Sequence, residues 1–311
     1  MKFNTEWKNF KVLATGDGYK LEDYAGVTLL RPDPQIIWRA PFDLRSYKGL
    51  SAYYSRSATG GGEWSIVGKV PDEFYIDWRT LRFSLKLMGF KHTGVFPEQA
   101  VNWDRMIADI KGRCDTLPTI KGRGGTLPPA GDKVSPLQPP VSVLNLFAYT
   151  GGATLACASA GASVTHVDAA KAMCERAGLN ARLSGLKEAP IRYIVDDCMK
   201  FCEKELRRGK RYDAVIMDPP SFGRGPNGEA WKLEDKLHDL VTLTAGLMSD
   251  KPLFFLINSY TTGLQPTVMK NVLDIAFKDK KHETDAYEIG LQTQDPNIIL
   301  PCGCSAYARF K

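Results

Sequence analysis

The segment Asp-Pro-Pro-Ser-Phe at residues 218–222 carries the clearest chemical signal of the chain, because it directly follows the apolar run 214–217. Two consecutive prolines fix two φ angles and remove two N–H donors, so nearby carbonyl groups are left to face a ligand. An acid, rigid carbonyls and an aromatic ring at the end of a buried strand are suited to holding a planar nitrogenous base for attack. An ordinary strand-ending turn is the alternative, since Pro-rich turns are common.

A second signal lies upstream, in the string Asn-Leu-Phe-Ala-Tyr-Thr-Gly-Gly at residues 145–152. An apolar strand over 141–147 enters the Gly-Gly turn, a helix of small residues follows over 153–160, and a strand over 163–168 ends in an acid. Strand, glycine turn, helix, strand and acid make the first βαβ unit of a doubly wound nucleotide-binding fold. The glycines would let the backbone approach a ligand closely, and Asp168 is placed to accept hydrogen bonds from ribose hydroxyls.

The composition of the turn indicates which nucleotide it suits. It lacks the first glycine of G-x-G-x-x-G, the pattern that brings a pyrophosphate to a helix N-terminus. Tyr149 occupies part of the loop where a phosphate would need bare backbone. A nicotinamide-dependent oxidoreductase is therefore disfavoured, and a nucleoside cofactor without phosphate, such as S-adenosylmethionine (SAM), is favoured.

These segments resemble class I SAM-dependent methyltransferases. More narrowly, they resemble the bacterial large-subunit ribosomal RNA methyltransferases that carry a Tyr-Thr-Gly-Gly loop and an Asp-Pro-Pro-x-Phe turn. The resemblance also rests on Asp168, on the acidic pair Asp196-Asp197 after a third strand, and on Lys-His-Thr-Gly-Val-Phe-Pro-Glu-Gln at 91–99. It extends from about residue 90 to the C-terminus, and its motifs specify the fold and the cofactor, SAM, more closely than the substrate.

The resemblance implies a role for each matching position. The loop over 145–152 would hold the methionine part and the ribose. Asp168 would hold the ribose hydroxyls, and Asp197, or its neighbour Asp196, would lie at the adenine amino group. The implied cofactor-binding residues are Phe96, Gln99, Asn145, Phe147, Ala148, Tyr149, Thr150, Gly151, Gly152, Asp168, Ala169, Asp197 and Cys198. The implied catalytic residues, which would face the methyl group and the target, are Asp218, Pro219, Pro220 and Phe222.

Three departures from the common pattern bear on the target. Asn145 and Tyr149 fit only the narrower ribosomal RNA group, because the common class I loop begins with an acid, where this chain has Asn145, and has glycine where this chain has Tyr149. Amino-group methyltransferases usually have the aromatic residue directly after the two prolines. Here Ser221 intervenes, so Phe222 comes one residue later. No cysteine follows the next core strand, 252–258, or lies in the Asp-Pro-Pro turn. Carbon-5 of a pyrimidine needs such a nucleophile, so we expect methylation at nitrogen.

Composition excludes several classes of protein. The 311 residues suffice for one large and one smaller domain, with 43% apolar and 24% charged residues. No apolar run is long enough for a membrane span, and the N-terminus lacks an apolar signal core. Seven cysteines without a C-x-x-C pair, and four histidines, predict reduced thiols in the cytoplasm, with neither a disulfide framework nor a metal site.

The charge permits a nucleic-acid partner. A net charge of +6 is compatible with RNA without requiring it. The basic clusters at 204–211 and 278–282 are more typical of solvated helix ends. The basic, Pro- and Gly-rich stretch over 112–133 is either a mobile RNA-binding loop or a disordered linker. Guided by the resemblance, we expect ribosomal RNA as the partner. The alternatives are a SAM-dependent enzyme acting on a small molecule or protein, and a non-catalytic RNA-binding module.

The elements that would position these residues divide the chain into three parts. Residues 1–90 show short β-like runs broken by turns, which predicts a small antiparallel, β-rich domain whose aromatic residues form its core or, in part, a surface for stacking RNA bases. Residues 91–140 predict a connecting helix over 100–113 and a Pro/Gly-rich linker. Residues 141–311 alternate strands and helices.

This alternation predicts an α/β fold, a Rossmann-like class I methyltransferase sheet that is mostly parallel with an antiparallel C-terminal strand pair. Ligands of such sheets bind beyond the carboxyl ends of the strands. Gly151, Asp168, Asp197 and Asp218 all fall at such ends. The sequence therefore predicts one site along one edge of the sheet.

Overall fold

The computed structural model describes residues 1–57, 61–115, 139–224 and 230–311. The strands are β1 Phe10–Gly16, β2 Tyr19–Tyr24, β3 Val27–Pro32, β4 Leu50–Arg56, β5 Gly62–Ile66, β6 Phe74–Trp78, β7 Leu81–Leu85, β8 Ser142–Leu146, β9 Ser163–Asp168, β10 Ile191–Val195, β11 Ala214–Met217, β12 Phe222–Arg224, β13 Ala230–Lys232, β14 Phe254–Ser259, β15 His282–Gln292 and β16 Ile299–Phe310. The helices are α1 Ala100–Asp115, α2 Gly152–Ser159, α3 Lys171–Leu183, α4 Cys198–Arg207, α5 Leu233–Ala245 and α6 Pro266–Ala276.

The main sheet has seven strands in the order β10-β9-β8-β11-β14-β16-β15. The first five are parallel, and β16 pairs antiparallel with both β14 and β15. The predicted fold class, a mostly parallel α/β sheet with an antiparallel C-terminal pair, is confirmed. From β8 the chain moves outward through β9 to β10 and then crosses to the other side of β8 with β11. The switch point between β8 and β11 is where ligands bind in such sheets.

The central strands are apolar runs without alternation, because helices cover both faces of a parallel sheet. All four residues of β11 and all six of β14 are buried. On one face they pack with β8 and the helices α4, α5 and α6 in one cluster. On the other face they pack with α1 and α2 in a second cluster. The rigid sheet fixes where each strand end, and hence each polar residue that follows it, must lie.

The N-terminal region forms a five-stranded sheet in the order β1-β2-β3-β4-β5 and a separate hairpin of β6 and β7. The prediction of a β-rich region is confirmed. The expectation that its strands are all antiparallel is wrong at one pair, since β3 and β4 run parallel. The long connection over 33–49 returns the chain to the end of the sheet at which β3 begins, and β4 starts there. Parallel neighbours require such a crossover instead of a tight turn.

Helix α1 joins the N-terminal region to the main sheet through aromatic packing. The Trp103 ring centroid lies 5.2 Å from that of Trp78 and 5.8 Å from that of Trp7. These tryptophans and Tyr24 are buried, so they serve as core. One hydrophobic cluster therefore runs from the N-terminal strands through α1 to the main sheet. Residues 116–138, which hold most of the predicted linker and its basic stretch, lie outside the described residues.

Three further properties of the described residues bear on function class. None of the described helices is long and apolar enough to cross a membrane. The six cysteines whose side chains are described are free and buried. Within the same ranges, no three His, Cys, Asp or Glu side chains come together as a metal site.

Candidate active site

A cavity of about 1020 Å³ opens beside the switch point, at the carboxyl ends of the parallel strands. Three carboxylates line it from the main sheet: Asp168 ends β9, Asp197 precedes α4, and Asp218 follows β11. Residues of the N-terminal sheet and of the segment 91–98 line the same cavity. Sites for a single small molecule are roughly 300–1000 Å³, so the cavity has room for a cofactor and part of a second ligand.

The loop after β8 is held in an unusual backbone conformation. Phe147 and Tyr149 have φ values of 53° and 50°, in the left-handed region that side chains other than glycine rarely adopt. The Tyr149 amide donates to Asp168 Oδ2 at 2.8 Å, and the Phe147 amide to Cys198 Sγ at 3.3 Å. Such strain persists only where the surroundings hold it, and it is common at ligand sites. These hydrogen bonds therefore hold the loop in this conformation.

The two glycines of the loop let protein elements approach each other. A Cβ atom on Gly151, whose φ is 89°, would lie 2.9 Å from the Ala177 Cβ, and one on Gly152 would lie 2.5 Å from the Trp103 Cζ2. Gly152 lines a smaller cavity of about 50 Å³. Gly151 lines neither cavity and lies behind the wall. Both glycines therefore permit the start of α2 to pack against α1 and α3.

The other predicted residues of this region differ in whether they line a cavity. Ala148, Tyr149 and Thr150 line the smaller cavity, and the buried Thr150 hydroxyl donates to the Gly94 carbonyl. Asn145 also lines it, with Nδ2 donating to Thr154 Oγ1 at 2.9 Å. Cys198, by contrast, lines neither cavity and packs in the apolar cluster beneath the loop.

Asp168 anchors the loop and faces the larger cavity. Oδ2 accepts from the Tyr149 amide at 2.8 Å, and Oδ1 accepts from the Ala170 amide at 2.9 Å. Each carboxylate oxygen has a further lone pair, so both can accept a second hydrogen bond. Ala169, its neighbour, lines the same cavity. Asp168 is therefore oriented by the backbone and can receive two hydroxyl donors.

The structure separates the two adjacent acids after β10. Asp197 is the N-cap of α4, where Oδ1 accepts from the Lys200 amide at 2.9 Å, and it lines the cavity. Asp196 Oδ2 lies 2.6 Å from Lys204 Nζ, and Asp196 does not line the cavity. Only Asp197 is thus available to a ligand there.

Asp218 and Glu98 form an acidic end of the cavity. Neither carboxyl group has a side-chain hydrogen bond to another described residue, and both line the cavity. Burial raises the pKa of Asp218 to about 7, and the nearby charge of Glu98 raises it further in the same direction. Burial also raises the pKa of Glu98. Near neutral pH, Asp218 therefore exchanges between a neutral and a charged form.

The charge of Glu98 should be detectable in the titration of Asp218. In Glu98→Gln we expect the pKa of Asp218 to fall below its value of about 7, because a repelling charge is removed while burial is retained. The carboxylate form would then persist to lower pH. ¹³C NMR titration of a protein with labelled aspartate measures this directly.

The control variant is Glu203→Gln, which removes another cavity-lining carboxyl that does not act on Asp218. Its Asp218 titration should match that of the unmodified protein. An unchanged midpoint in Glu98→Gln would mean that burial alone sets the pKa.

The Pro-Pro turn lines the cavity, but Phe222 does not. The Pro220 carbonyl accepts from Trp231 Nε1 at 2.7 Å, whereas the Pro219 carbonyl accepts no hydrogen bond from the described residues. Phe222 is 64% exposed. It pairs with Lys232 in the β12–β13 hairpin, and the next pair, Gly223 with Trp231, points to the opposite face. Trp231, which the sequence analysis missed, therefore supplies the aromatic ring at this end of the cavity.

Phe96, Tyr149 and Tyr260 make an aromatic wall. The Phe96 ring centroid lies 5.5 Å from that of Tyr149 and 5.4 Å from that of Tyr260. Gln99 lines the smaller cavity, but its Nε2 donates to the Tyr260 hydroxyl at 2.7 Å and its Oε1 accepts from Asn102 at 2.8 Å. Gln99 is therefore engaged by the protein and fixes Tyr260, a cavity residue that the sequence analysis also missed.

Residues 137–260 match the family model described as S-adenosylmethionine-dependent methyltransferase. This match identifies a SAM-dependent methyltransferase domain over residues 137–260, and the order of the main sheet agrees with it. The cofactor of this family is SAM, as predicted.

The chain is similar in part to curated ribosomal RNA methyltransferases. Ribosomal RNA large subunit methyltransferase K/L of Methylococcus capsulatus is 42% identical over 80 residues, 25% of this chain and 11% of that protein. Ribosomal RNA large subunit methyltransferase K of Neisseria meningitidis serogroup B is 26% identical over 216 residues, 67% of this chain and 53% of that protein. The chain thus spans from about a tenth to about half of the length of these two relatives.

A solved structure matches almost the whole chain. The SAM-dependent methyltransferase from Agrobacterium tumefaciens superposes with a TM-score of 0.81 at 29% identity, covering 99% of this chain and 92% of that one. The N-terminal region and the methyltransferase domain therefore occur together in a second protein.

The cavity fits the cofactor chemically. The Tyr149 hydroxyl is buried and has no hydrogen-bond partner among the described residues, although the residue lines both cavities. A buried hydroxyl without a partner is costly, so a polar ligand group beside it would be stabilising. Asp168 offers acceptors for ribose hydroxyls, and the aromatic wall offers an apolar surface. These features suit a nucleoside without phosphate.

Proposed function

We propose that this chain is a SAM-dependent methyltransferase that methylates a nitrogen atom of a base in ribosomal RNA. The observation that carries the proposal is the convergence of Asp168, Asp197 and Asp218, from three strand ends, on one cavity. The proposal also puts the protein in the cytoplasm, where ribosomal RNA and SAM occur together.

The role of each cofactor-binding residue follows from which cavity it lines. Asp168 binds the ribose hydroxyls, and Asp197 lies at the adenine end. The loop over 145–152 and Phe96 enclose the remainder of the molecule, with Tyr149 offering its unpaired hydroxyl. When bound, SAM supplies a methyl group on a sulfonium, which is already electrophilic. The protein therefore contributes mainly proximity and alignment.

Asp218 and the Pro219 carbonyl orient the target. Both are acceptors, so an exocyclic amine of a base can donate its two hydrogens to them, which aims the nitrogen lone pair at the methyl group. For a ring nitrogen, Asp218 orients the base edge instead. An RNA base must leave its stack to reach such a pocket. Trp231 supplies the aromatic surface against which a base can lie.

The chemistry of the described thiols supports nitrogen as the acceptor. Cys302 is the cysteine among the described residues that lines the cavity. Burial, followed by the charge of Glu98, raises the pKa of Cys302 well above that of a free thiol. A covalent route to carbon-5 of a pyrimidine needs a thiolate. Cys302 is therefore poorly suited to that route.

The choice of ribosomal RNA is supported by the curated relatives, which are ribosomal RNA large subunit methyltransferases. Its test is a transfer assay with labelled SAM and ribosomal RNA from cells with and without this gene. RNA from cells that lack the gene should accept label on one base nitrogen, identified by nucleoside mass spectrometry. RNA from parental cells should accept little, because the position is already methylated.

Two outcomes would contradict the RNA assignment. Label in a small-molecule or protein fraction, with none in RNA, would retain the methyltransferase and replace its substrate. Transfer to RNA whose rate is insensitive to salt would also count against it, since phosphate contacts make RNA binding fall steeply with salt.

A further inference from the structure

The wall of the cavity that faces the methyltransferase domain is rich in cations. Lys20 lies on β2, Arg31 on β3 and Arg56 at the end of β4, and Lys91 follows the N-terminal region. The acids Asp168, Asp197 and Asp218 lie on the other wall. Two more lysines, Lys200 and Lys236, are exposed at the rim. The acids Asp33 and Glu98 line the cavity from the same part of the chain, so cations outnumber acids there but are not alone.

Arg31 is used structurally. Its Nε donates to Glu22 at 2.7 Å, and a terminal nitrogen donates to Glu22 at 2.8 Å and to the Tyr24 hydroxyl at 2.6 Å. Its other terminal nitrogen donates to the Lys91 carbonyl at 3.0 Å. Both partners of the Arg31–Glu22 pair are almost fully buried. Arg31 therefore has few donors left for a ligand and instead fixes the backbone of Lys91.

Lys91 is a cavity-lining cation with no ion pair among the described residues, and its nearest opposing charge is that of Asp33, which is itself paired with Lys20. The Lys91 Nζ donates to the Pro32 carbonyl at 3.4 Å, and no carboxylate of the described residues lies within ion-pair distance of it. Lys20, by contrast, has Asp33 at 3.2 Å. Burial, and then the charges of Lys20, Arg31 and Arg56, lower the pKa of Lys91 to about 8, although the charge of Asp33 acts in the opposite direction. A half-buried ammonium among other cations, facing a cavity, is stabilised when an anion enters.

One chain segment links Lys91 to the transfer site. Residues 91–99 begin where Arg31 holds the Lys91 carbonyl and pass Gly94, whose carbonyl accepts from the Thr150 hydroxyl. They continue to Phe96, which contacts Tyr149, and to Glu98, whose charge acts on Asp218. Lys91 and Glu98 are therefore built on the same fixed segment, with Phe96 of the aromatic wall between them in sequence.

We propose that Lys91, assisted by Lys20 and Arg56, forms an anion subsite that binds a phosphate group attached to the molecule whose base lies against Asp218. The inference rests on the proposed function in placing a base at Asp218. A phosphate suits the subsite because lysine binds it as a point charge and several cations can share its oxygens. The phosphate belongs either to the RNA backbone or to a free nucleotide.

The test uses the full chain saturated with S-adenosylhomocysteine and measures binding by calorimetry. The probes are the four nucleosides, their 5′-monophosphates and a ribosomal RNA fragment. We expect at least one monophosphate, or the RNA fragment if the backbone is the source, to bind at least about tenfold more tightly than the nucleosides, as a charge-assisted hydrogen bond provides. Lys91→Gln should remove this preference, and Lys91→Arg should restore part of it.

The control is Lys48→Gln, which removes an exposed lysine of the N-terminal region away from the cavity. It should retain the phosphate preference, and S-adenosylhomocysteine should bind all these variants equally, which also reports that they are folded. Equal binding of nucleosides and phosphorylated probes to the unmodified protein, or an unchanged preference in Lys91→Gln, would overturn the subsite. A Lys91-dependent preference in a protein that does not methylate RNA would retain the subsite and refute only the RNA substrate.

Discussion

Asp218→Asn is expected to lower the rate of methyl transfer by about 100- to 1000-fold, the range seen when one positioned polar group is lost from an active site. Asparagine keeps the size of the side chain but removes the negative charge and one of the two acceptor oxygens. The target amine would then lose the group that orients its lone pair. Single-turnover transfer to ribosomal RNA measures the rate, and calorimetry measures SAM binding, which should change little.

The same substitution should stabilise the folded protein above neutral pH. The pKa of Asp218 is raised to about 7 in the fold, from an ordinary 3.8, because the carboxyl group is buried. Above pH 7 the fold must hold a buried charge that the unfolded chain hydrates freely, so the penalty is full there and vanishes below about pH 4. We expect Asp218→Asn to be more stable by on the order of 2 kcal/mol at pH 8, with no such gain at pH 4.

Asp239→Asn provides the control, since Asp239 is exposed on α5 and does not line the cavity. It should change neither transfer nor the pH dependence of stability. Loss of methyl transfer in Asp218→Asn, together with a gain in stability at pH 8, would show that the Asp218 carboxylate serves the reaction at a cost in stability. Normal turnover in Asp218→Asn would remove it from the mechanism.

The methyltransferase half of the fold could be predicted because its signals are local. Strands such as β11 and β14 are short apolar runs, and burial on both faces removes any need for alternation. The order of strands and helices then places every strand end on one edge. That is why the sequence could predict Asp168 and Asp218 to lie near each other, and in the structure both line the same cavity.

Other site residues depend on geometry that no local pattern specifies. Asp197 and Asp196 differ only in that Asp197 caps α4 and so turns toward the cavity. Trp231 reaches the cavity because a hairpin pairs it with Gly223, which also turns Phe222 outward. In both cases a shift of one residue, in where a helix starts or in how a hairpin pairs, decides which side chain reaches the cavity.

The cationic wall could not be predicted at all. Lys20 and Arg31 face each other in the β2–β3 pair, but Lys91 is far from both in sequence, and a lysine on a strand is usually a solvated residue. They meet the acids of the main sheet only because α1 and the segment 91–99 dock the N-terminal sheet over the cavity. Long-range packing of this kind leaves no periodic signal.

Asp168→Ala is expected to weaken SAM binding by about 100-fold, because charge-assisted hydrogen bonds to two hydroxyls contribute roughly 3 kcal/mol. Part of this loss would come from the loop, since Asp168 also holds the Tyr149 amide. A ligand without ribose hydroxyls separates the two effects. The unmodified protein should prefer methylthioadenosine to its 2′,3′-dideoxy analogue, whereas Asp168→Ala should bind both equally. Calorimetry with the two ligands makes the comparison.

Asp196→Ala is the matched control, because it removes a carboxylate at the neighbouring strand end that is paired with Lys204 and does not line the cavity. Its effect on SAM binding should stay within about twofold, as expected for a surface ion pair.

Asp197→Ala should weaken SAM binding and also destabilise α4 by about 1 kcal/mol, since an N-cap is lost. If Asp196→Ala weakens binding more than Asp197→Ala, the adenine end belongs to Asp196. If Asp168 accepts from both ribose hydroxyls, the preference for the ligand that carries them must disappear with the carboxylate. An Asp168→Ala protein that still prefers methylthioadenosine to the dideoxy analogue would therefore place the ribose elsewhere.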